Sequence, residues 1–191
     1  LLISGEAAMG TLRMLVSRPI SRSQLLLSKF LAGGIYTLLI VFWLGFLAVI
    51  IGRFLFGPGD LMVLNSDGLI IIQELDVLWR YLGGFCVAFL ALLTISSLSI
   101  CLSCFSDNSI GPIVSTMAII LLFTIIGTLD VPVFDPIRPY LFTTHMAAWR
   151  SFFDDPLPWT QIKESIYILI AHNTCFMAVA LYTFHRKDIT V

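Results

Sequence analysis

FLAGGIYTLLIVFWLGFLAVIIGRFLF, running from Phe30 to Phe56, decides the fold, and Arg53 is its only charged residue. A helix rises about 1.5 Å per residue, so about 20 apolar residues cross the hydrocarbon core of a bilayer. This run is longer than that. It is apolar on every face, with no polar side for water. Three further runs have the same character: Leu82 to Phe105, Ile110 to Leu129 and Ser165 to Phe184. Each must be helical, because an isolated strand would leave its backbone N–H and C=O groups unpaired in lipid.

Composition agrees. The chain has 191 residues, of which 58% are hydrophobic and 12% charged. The charged share is about half the roughly 25% of a soluble domain. So short a chain has too little volume to bury that much apolar surface. The fold class expected is therefore all-α: a polytopic membrane helix bundle of four full transmembrane helices. The net charge of −1 gives no electrostatic case for a nucleic-acid partner. The first run is too long for a cleavable signal peptide and lacks a small-residue cleavage pattern. The sequence opens on Leu1-Leu2-Ile3, which reads as the tail of an earlier span, so an N-terminally truncated fragment is expected.

Lys and Arg set the expected orientation. Arg13, Arg18, Arg22 and Lys29 precede the first run, and Arg186 and Lys187 follow the last. The two long loops, Gly57 to Tyr81 and Asp130 to Glu164, carry Arg80, Arg138, Arg150 and Lys163 over a greater length. Four spans put both ends on one side. The N-terminal segment and the tail are thus expected in the cytoplasm of a multi-pass plasma (inner) membrane protein, although Arg53 counts against that bias. Between the second and third runs, Asp107 and Asn108 make a short turn. Pro112 falls in the first turn of the third helix, where a missing N–H costs little. The loop 130–164 is rich in proline and aromatics, so short interfacial helices are expected there, with Trp and Tyr at headgroup depth. Leu69 to Tyr81 reads as a similar interfacial piece or an extension of the second span.

Polar residues inside the spans are candidate sites. Ser96, Ser99 and Ser103 form one helical row, with Thr94, Ser97, Cys101 and Cys104 beside it. Such a row lines a substrate path or lets helices pack closely. Cys101-x-x-Cys104 has no second cysteine pair or nearby His to complete a metal or redox site, and reads as packing. His172 and Asn173 lie near the middle of the last run, where an ionisable group is a functional hypothesis. No acidic residue lies within the four runs to partner His172 in a relay. No G-x-x-x-x-G-K-[ST], H-E-x-x-H or G-x-S-x-G occurs, so no catalytic, ATP-hydrolysing or metal site is expected.

The segment before the first run is the part that faces water. GEAAMGTLRMLVSRPISRSQLLLSK spans Gly5 to Lys29. Ser4 is placed to cap a helix whose first turn holds Glu6. Met9, Leu12, Leu15 and Val16 give it an apolar stripe. Pro19 stops it. Ser21 or Ser23 caps the next helix, which continues into the first span. The outcome is a short amphipathic helix, a sharp elbow and a membrane helix.

These residues carry a resemblance. Ser4, Gly5, Glu6, Gly10, Thr11, Leu12, Leu15, Ser17, Arg18, Pro19, Ile20, Ser21, Arg22 and Lys29 match a pattern that resembles the permease subunits of ABC-2 type ABC transporters. The ending Phe184 to Ile189, F-H-R-K-D-I, is similar to the family's close after its last span. The resemblance implies the last four of six spans, a second permease subunit as partner, and a separate cytoplasmic ATPase that uses ATP while this chain binds no cofactor. It implies that residues 4–29 form the coupling elbow, with Glu6, Gly10, Thr11, Arg13, Ser17, Arg18, Pro19, Ser21 and Arg22 at or near the ATPase contact. Export is the implied direction. Ala7, Ala8 and Met9 depart from the more charged stretch common in the family. The competing reading is a stand-alone membrane carrier or an intramembrane enzyme using His172.

Overall fold

A computed structural model of the chain describes residues 21–65, 68–106 and 108–186. Four long helices dominate it, each long and apolar enough to cross a membrane: α1 (Arg22–Phe56), α2 (Glu74–Phe105), α3 (Ile110–Thr128) and α5 (Trp159–Arg186). The expected helical bundle is present. The expectation of an all-α fold needs one correction: α1 and α2 are joined by an antiparallel hairpin, β1 (Leu61–Asn65) and β2 (Gly68–Ile72), with Leu61 opposite Ile72. β-branched Ile70, Ile71 and Ile72 suit a strand.

Three helices start earlier than their apolar runs. Ser21 caps α1 in a capping box: its Oγ accepts from the Gln24 N–H, and the Gln24 side chain accepts from the Ser21 N–H. α1 therefore begins at Arg22, with Ser21 as its cap, and continues into the apolar run from Phe30. It ends at Gly57, whose φ of 75° is a conformation glycine adopts without cost. α2 begins at Glu74, where Asp60 Oδ1 accepts the Glu74 N–H at 3.0 Å and caps the helix from a distance in sequence. Glu74 and Asp76 in the first turn suit the helix dipole. So residues 74–81 do extend the second span, and residues 69–72 do not. α5 begins at Trp159, with Ile162 already buried.

α2 is the central helix and packs on α1, α3 and α5. In its most apolar stretch 39% of residues are buried, against 11% in each of the other three. The start of α1 meets the end of α5, so both lie at one end of the bundle, here the terminal end. There Leu25, Leu26, Ile100, Cys101, Cys104, Ala180 and Phe184 form one cluster. The opposite, hairpin end holds Val87, Phe152 and Ile162.

The segment between α3 and α5 contains short helices, as expected. They are the 3-10 turns Pro132–Phe134, Arg138–Tyr140 and Ala148–Phe153, and α4 (Phe142–His145). Not all of its aromatics stay at the periphery. Phe142 is fully buried in a third cluster with Ala91, Leu98 and Leu169. The segment folds back into the bundle and fills it.

Candidate functional site

At the terminal end, the elbow residues divide. Glu6, Gly10, Thr11, Arg13, Ser17, Arg18 and Pro19 lie outside the described residues. Ser21 and Arg22 lie within them. Ser21 holds the start of α1, as above. Arg22 Nη1 donates to the carbonyl oxygens of Phe184 at 3.3 Å and His185 at 3.1 Å. These carbonyls sit in the last turn of α5, where the helix has no N–H of its own to offer and where positive charge is favoured. Leu25 and Leu26, one turn further along α1, are buried against Ile100, Cys104 and Phe184. The foot of α1 is thus clamped to the last helix by one charged and several apolar contacts.

Inside the bundle, the polar rows of α2 face different neighbours. Ser97 Oγ donates to Asn173 Oδ1 on α5, and Thr94 Oγ1 reaches the Leu169 carbonyl at 3.5 Å. Ser97 and Thr94 are both fully buried. Ser96 faces α1 instead: a Cβ built on Gly33 would meet its Oγ at 2.9 Å. Ser103 is buried and Ser99 half-buried. Cys101 and Cys104 are free thiols in the terminal-end core. The two rows thus meet different helices, Thr94 and Ser97 meeting α5 and Ser96 meeting α1, the role small residues and hydroxyls play where helices approach closely. Asn173 joins that contact.

His172 is half-buried. Its Nδ1–H donates to the Ile168 carbonyl of its own helix at 2.9 Å. Its ring lies 5.7 Å from that of Phe142 and 5.8 Å from that of Phe176. Among the described residues no group of three or more His, Cys, Asp or Glu stands together to hold a metal ion.

Two polar residues matter that sequence reasoning passed over. Arg80, in the second turn of α2, is only 6% exposed. Its Nη1 donates to the Asp154 carbonyl at 2.8 Å, and its Nη2 lies 3.6 Å from Asp155 Oδ1. It straps the Ala148–Phe153 turn to α2. Gly83 gives that turn its seat, since a Cβ there would overlap the Phe152 ring. Arg80-x-x-Gly83-Gly84 at a helix start was the available signal. His145 of α4 is the second. Its Nε2–H donates to the Pro139 carbonyl at 2.7 Å, which leaves Nδ1 to accept from Ser165 Oγ at 2.9 Å. A lone histidine in a loop gave no sequence signal.

The architecture is that of a mostly helical chain with four helices able to cross a membrane. The chain belongs to a family described as "Protein of unknown function (DUF2705)", whose model matches residues 2–190. No curated protein and no solved structure matches it.

Proposed function

We propose that this protein is the membrane-spanning permease subunit of an ABC-type transporter, driven by a separate ATPase that docks on the elbow of residues 4–29. The observation that carries the reading is the S-G-E…S-R-P-I-S-R motif, which runs directly into a helix whose foot is tied to the end of the last span. An elbow moved by a motor would shift α1 and α5 together, because Arg22 joins them. Packed helices transmit such a shift because their interfaces resist continuous deformation. Glu6, Gly10, Thr11, Arg13, Ser17, Arg18 and Pro19 form the docking face, and Ser21 and Arg22 form its anchor to the bundle.

In this reading the elbow and the basic tail are cytoplasmic, the hairpin and the segment 130–158 lie outside, and the protein sits in the plasma membrane. A second permease copy covers part of the apolar outer face, and the substrate is exported between the two. ATP is used by the partner alone.

The competing reading, a carrier or intramembrane enzyme built on His172, is less well supported. His172 bonds to its own helix and lies between two aromatic rings, an arrangement of packing. The test is co-purification with an ABC-type ATPase, should one be encoded beside this chain, followed by its ATP hydrolysis. Arg13→Glu with Arg18→Glu abolishes both assembly and stimulation. If both survive, the coupling assignment is wrong.

A further inference from the structure

At the hairpin end, a pocket of about 570 Å³ opens between the last turns of α1, the Gly57–Asp60 loop and the first turns of α2. Pockets of roughly 300–1,000 Å³ hold small molecules. Most of its lining is apolar, including Ala48, Val49 and Gly52 of α1 and Val77 and Leu78 of α2. Its mouth is charged. Arg53 and Glu74 face each other across it at 3.0 Å, with 62% and 46% of their side chains exposed, and Asp60 stands beside Glu74.

Three observations converge on the kind of molecule that fits. First, the space beside Gly52 is open, since a Cβ built there would meet nothing within 4 Å. Second, Ala48 and Val49 of α1 and Leu78 and Tyr81 of α2 line the pocket about one turn or more further into the helices than Arg53 and Glu74. Tyr81 lines the pocket, and Trp79 stacks on Trp159 at 6.2 Å nearby. Tyr and Trp gather at the level where lipid meets water, so the pocket lies at that level, with Arg53 and Glu74 on the hairpin side of Tyr81. Third, the mouth presents both signs of charge. A cation alone would leave Arg53 without a partner and an anion would leave Glu74 and Asp60, whereas a zwitterion answers both. An exposed ion pair contributes little by itself, so exchanging Arg53–Glu74 for contacts to a bound head is a small change.

We propose that this pocket binds one amphipathic molecule with a zwitterionic head, its alkyl chain along Gly52, Val77 and Leu78 and its head between Arg53 and Glu74. The inference does not depend on the transport reading.

The test is a titration of the full chain in dodecyl maltoside, read by native mass spectrometry, with dodecylphosphocholine and in parallel with dioleoylphosphatidylcholine. One molecule is expected to bind per chain. Binding of both compounds makes the source a membrane lipid; binding of dodecylphosphocholine alone makes it a free single-chain amphiphile. Gly52→Leu fills the open space and weakens binding at least tenfold. Arg53→Gln removes one charge-assisted contact and weakens it by about tenfold. Arg53 is on the exposed rim, so this variant carries the test should Gly52→Leu not fold. Dodecyltrimethylammonium, with the same chain and a purely cationic head, binds at least tenfold more weakly. Undiminished binding to Arg53→Gln or to a folded Gly52→Leu, or equal binding of dodecyltrimethylammonium, overturns the proposal.

Discussion

Arg22 and His185 are 163 positions apart in the chain, yet the Arg22 guanidinium donates to the His185 carbonyl at 3.1 Å and to that of Phe184 beside it. One side chain thereby joins the first described helix to the last. Hydrogen bonds from a charged donor contribute about 1.5–3 kcal/mol where buried, and a cation at a helix C-terminus about 0.3–1 kcal/mol. Arg22 is only partly buried. Arg22→Ala is therefore expected to cost about 1–2 kcal/mol, seen as a lower thermal midpoint of the detergent-solubilised protein. Arg22→Lys recovers part of the loss.

The Arg80 strap should be more costly to remove. Arg80→Ala strips the Asp154 carbonyl of its donor and leaves a void under the Ala148–Phe153 turn. A loss of about 2–4 kcal/mol is expected, together with protease cleavage between Ala148 and Pro158 that the parent chain resists. Arg80→Lys reaches fewer of the partners and does not restore full protection.

Gly83 and Phe152 form a size-matched pair. Gly83→Val drives a side chain into the Phe152 ring. Overpacking of this kind costs about 1–3 kcal/mol. Phe152→Ala alone opens a cavity, but Gly83→Val combined with Phe152→Ala is expected to be less damaging than the two costs added. A thermal-stability cycle over the four chains measures the difference.

The Ser97–Asn173 bond separates packing from a substrate path. Interhelical hydrogen bonds in membranes average about 0.6 kcal/mol. Ser97→Ala and Asn173→Ala should each lower stability slightly, with a coupling of that size in a double-mutant cycle. On the proposed permease reading, loss of transport with unchanged stability would instead favour the substrate path.

Sidedness can be checked on a cysteine-free background, with Asn108→Cys in the α2–α3 turn and Asp135→Cys between α3 and α5. The two are expected to react with a membrane-impermeant maleimide from opposite sides. Labelling of Asp135→Cys in intact cells, with Asn108→Cys labelled only after lysis, fits the proposed orientation; the reverse pattern inverts it.

The four long apolar helices were legible because an apolar run longer than a bilayer has few other homes. Ser21 was legible too, since Ser-x-x-Gln ahead of Leu25, Leu26 and Leu27 has the form of a capping box. The hairpin was written in the chain but easily passed over. Asn65-Ser66-Asp67-Gly68 is turn chemistry between two short apolar runs. The run Leu69–Ile72 sits so close to α2 that its periodicity merges with the helix. What fixes the break is Asp60 capping Glu74 from 14 positions away, and no local window contains that. The two polar rows of α2 were seen as rows, but which of them meets α1 and which α5 depends on how the helices are turned. Arg80 was counted only as a loop charge; its burial follows from where the distant Asp154 and Asp155 come to rest.

Phe142 carries one more consequence, for the order of assembly. Its seat is built from Ala91 and Leu98 of α2 and Leu169 of α5, with Phe123 of α3 beside it. The wall that Leu169 supplies does not exist until α5 has been synthesised and inserted. Membrane helices insert individually before they associate, so the chain carrying Phe142 emerges before its seat is complete and docks only once its successor has arrived. A nascent chain stalled ahead of α5 would present an unseated aromatic loop, and the burial of Phe142 marks the moment at which the bundle is finished.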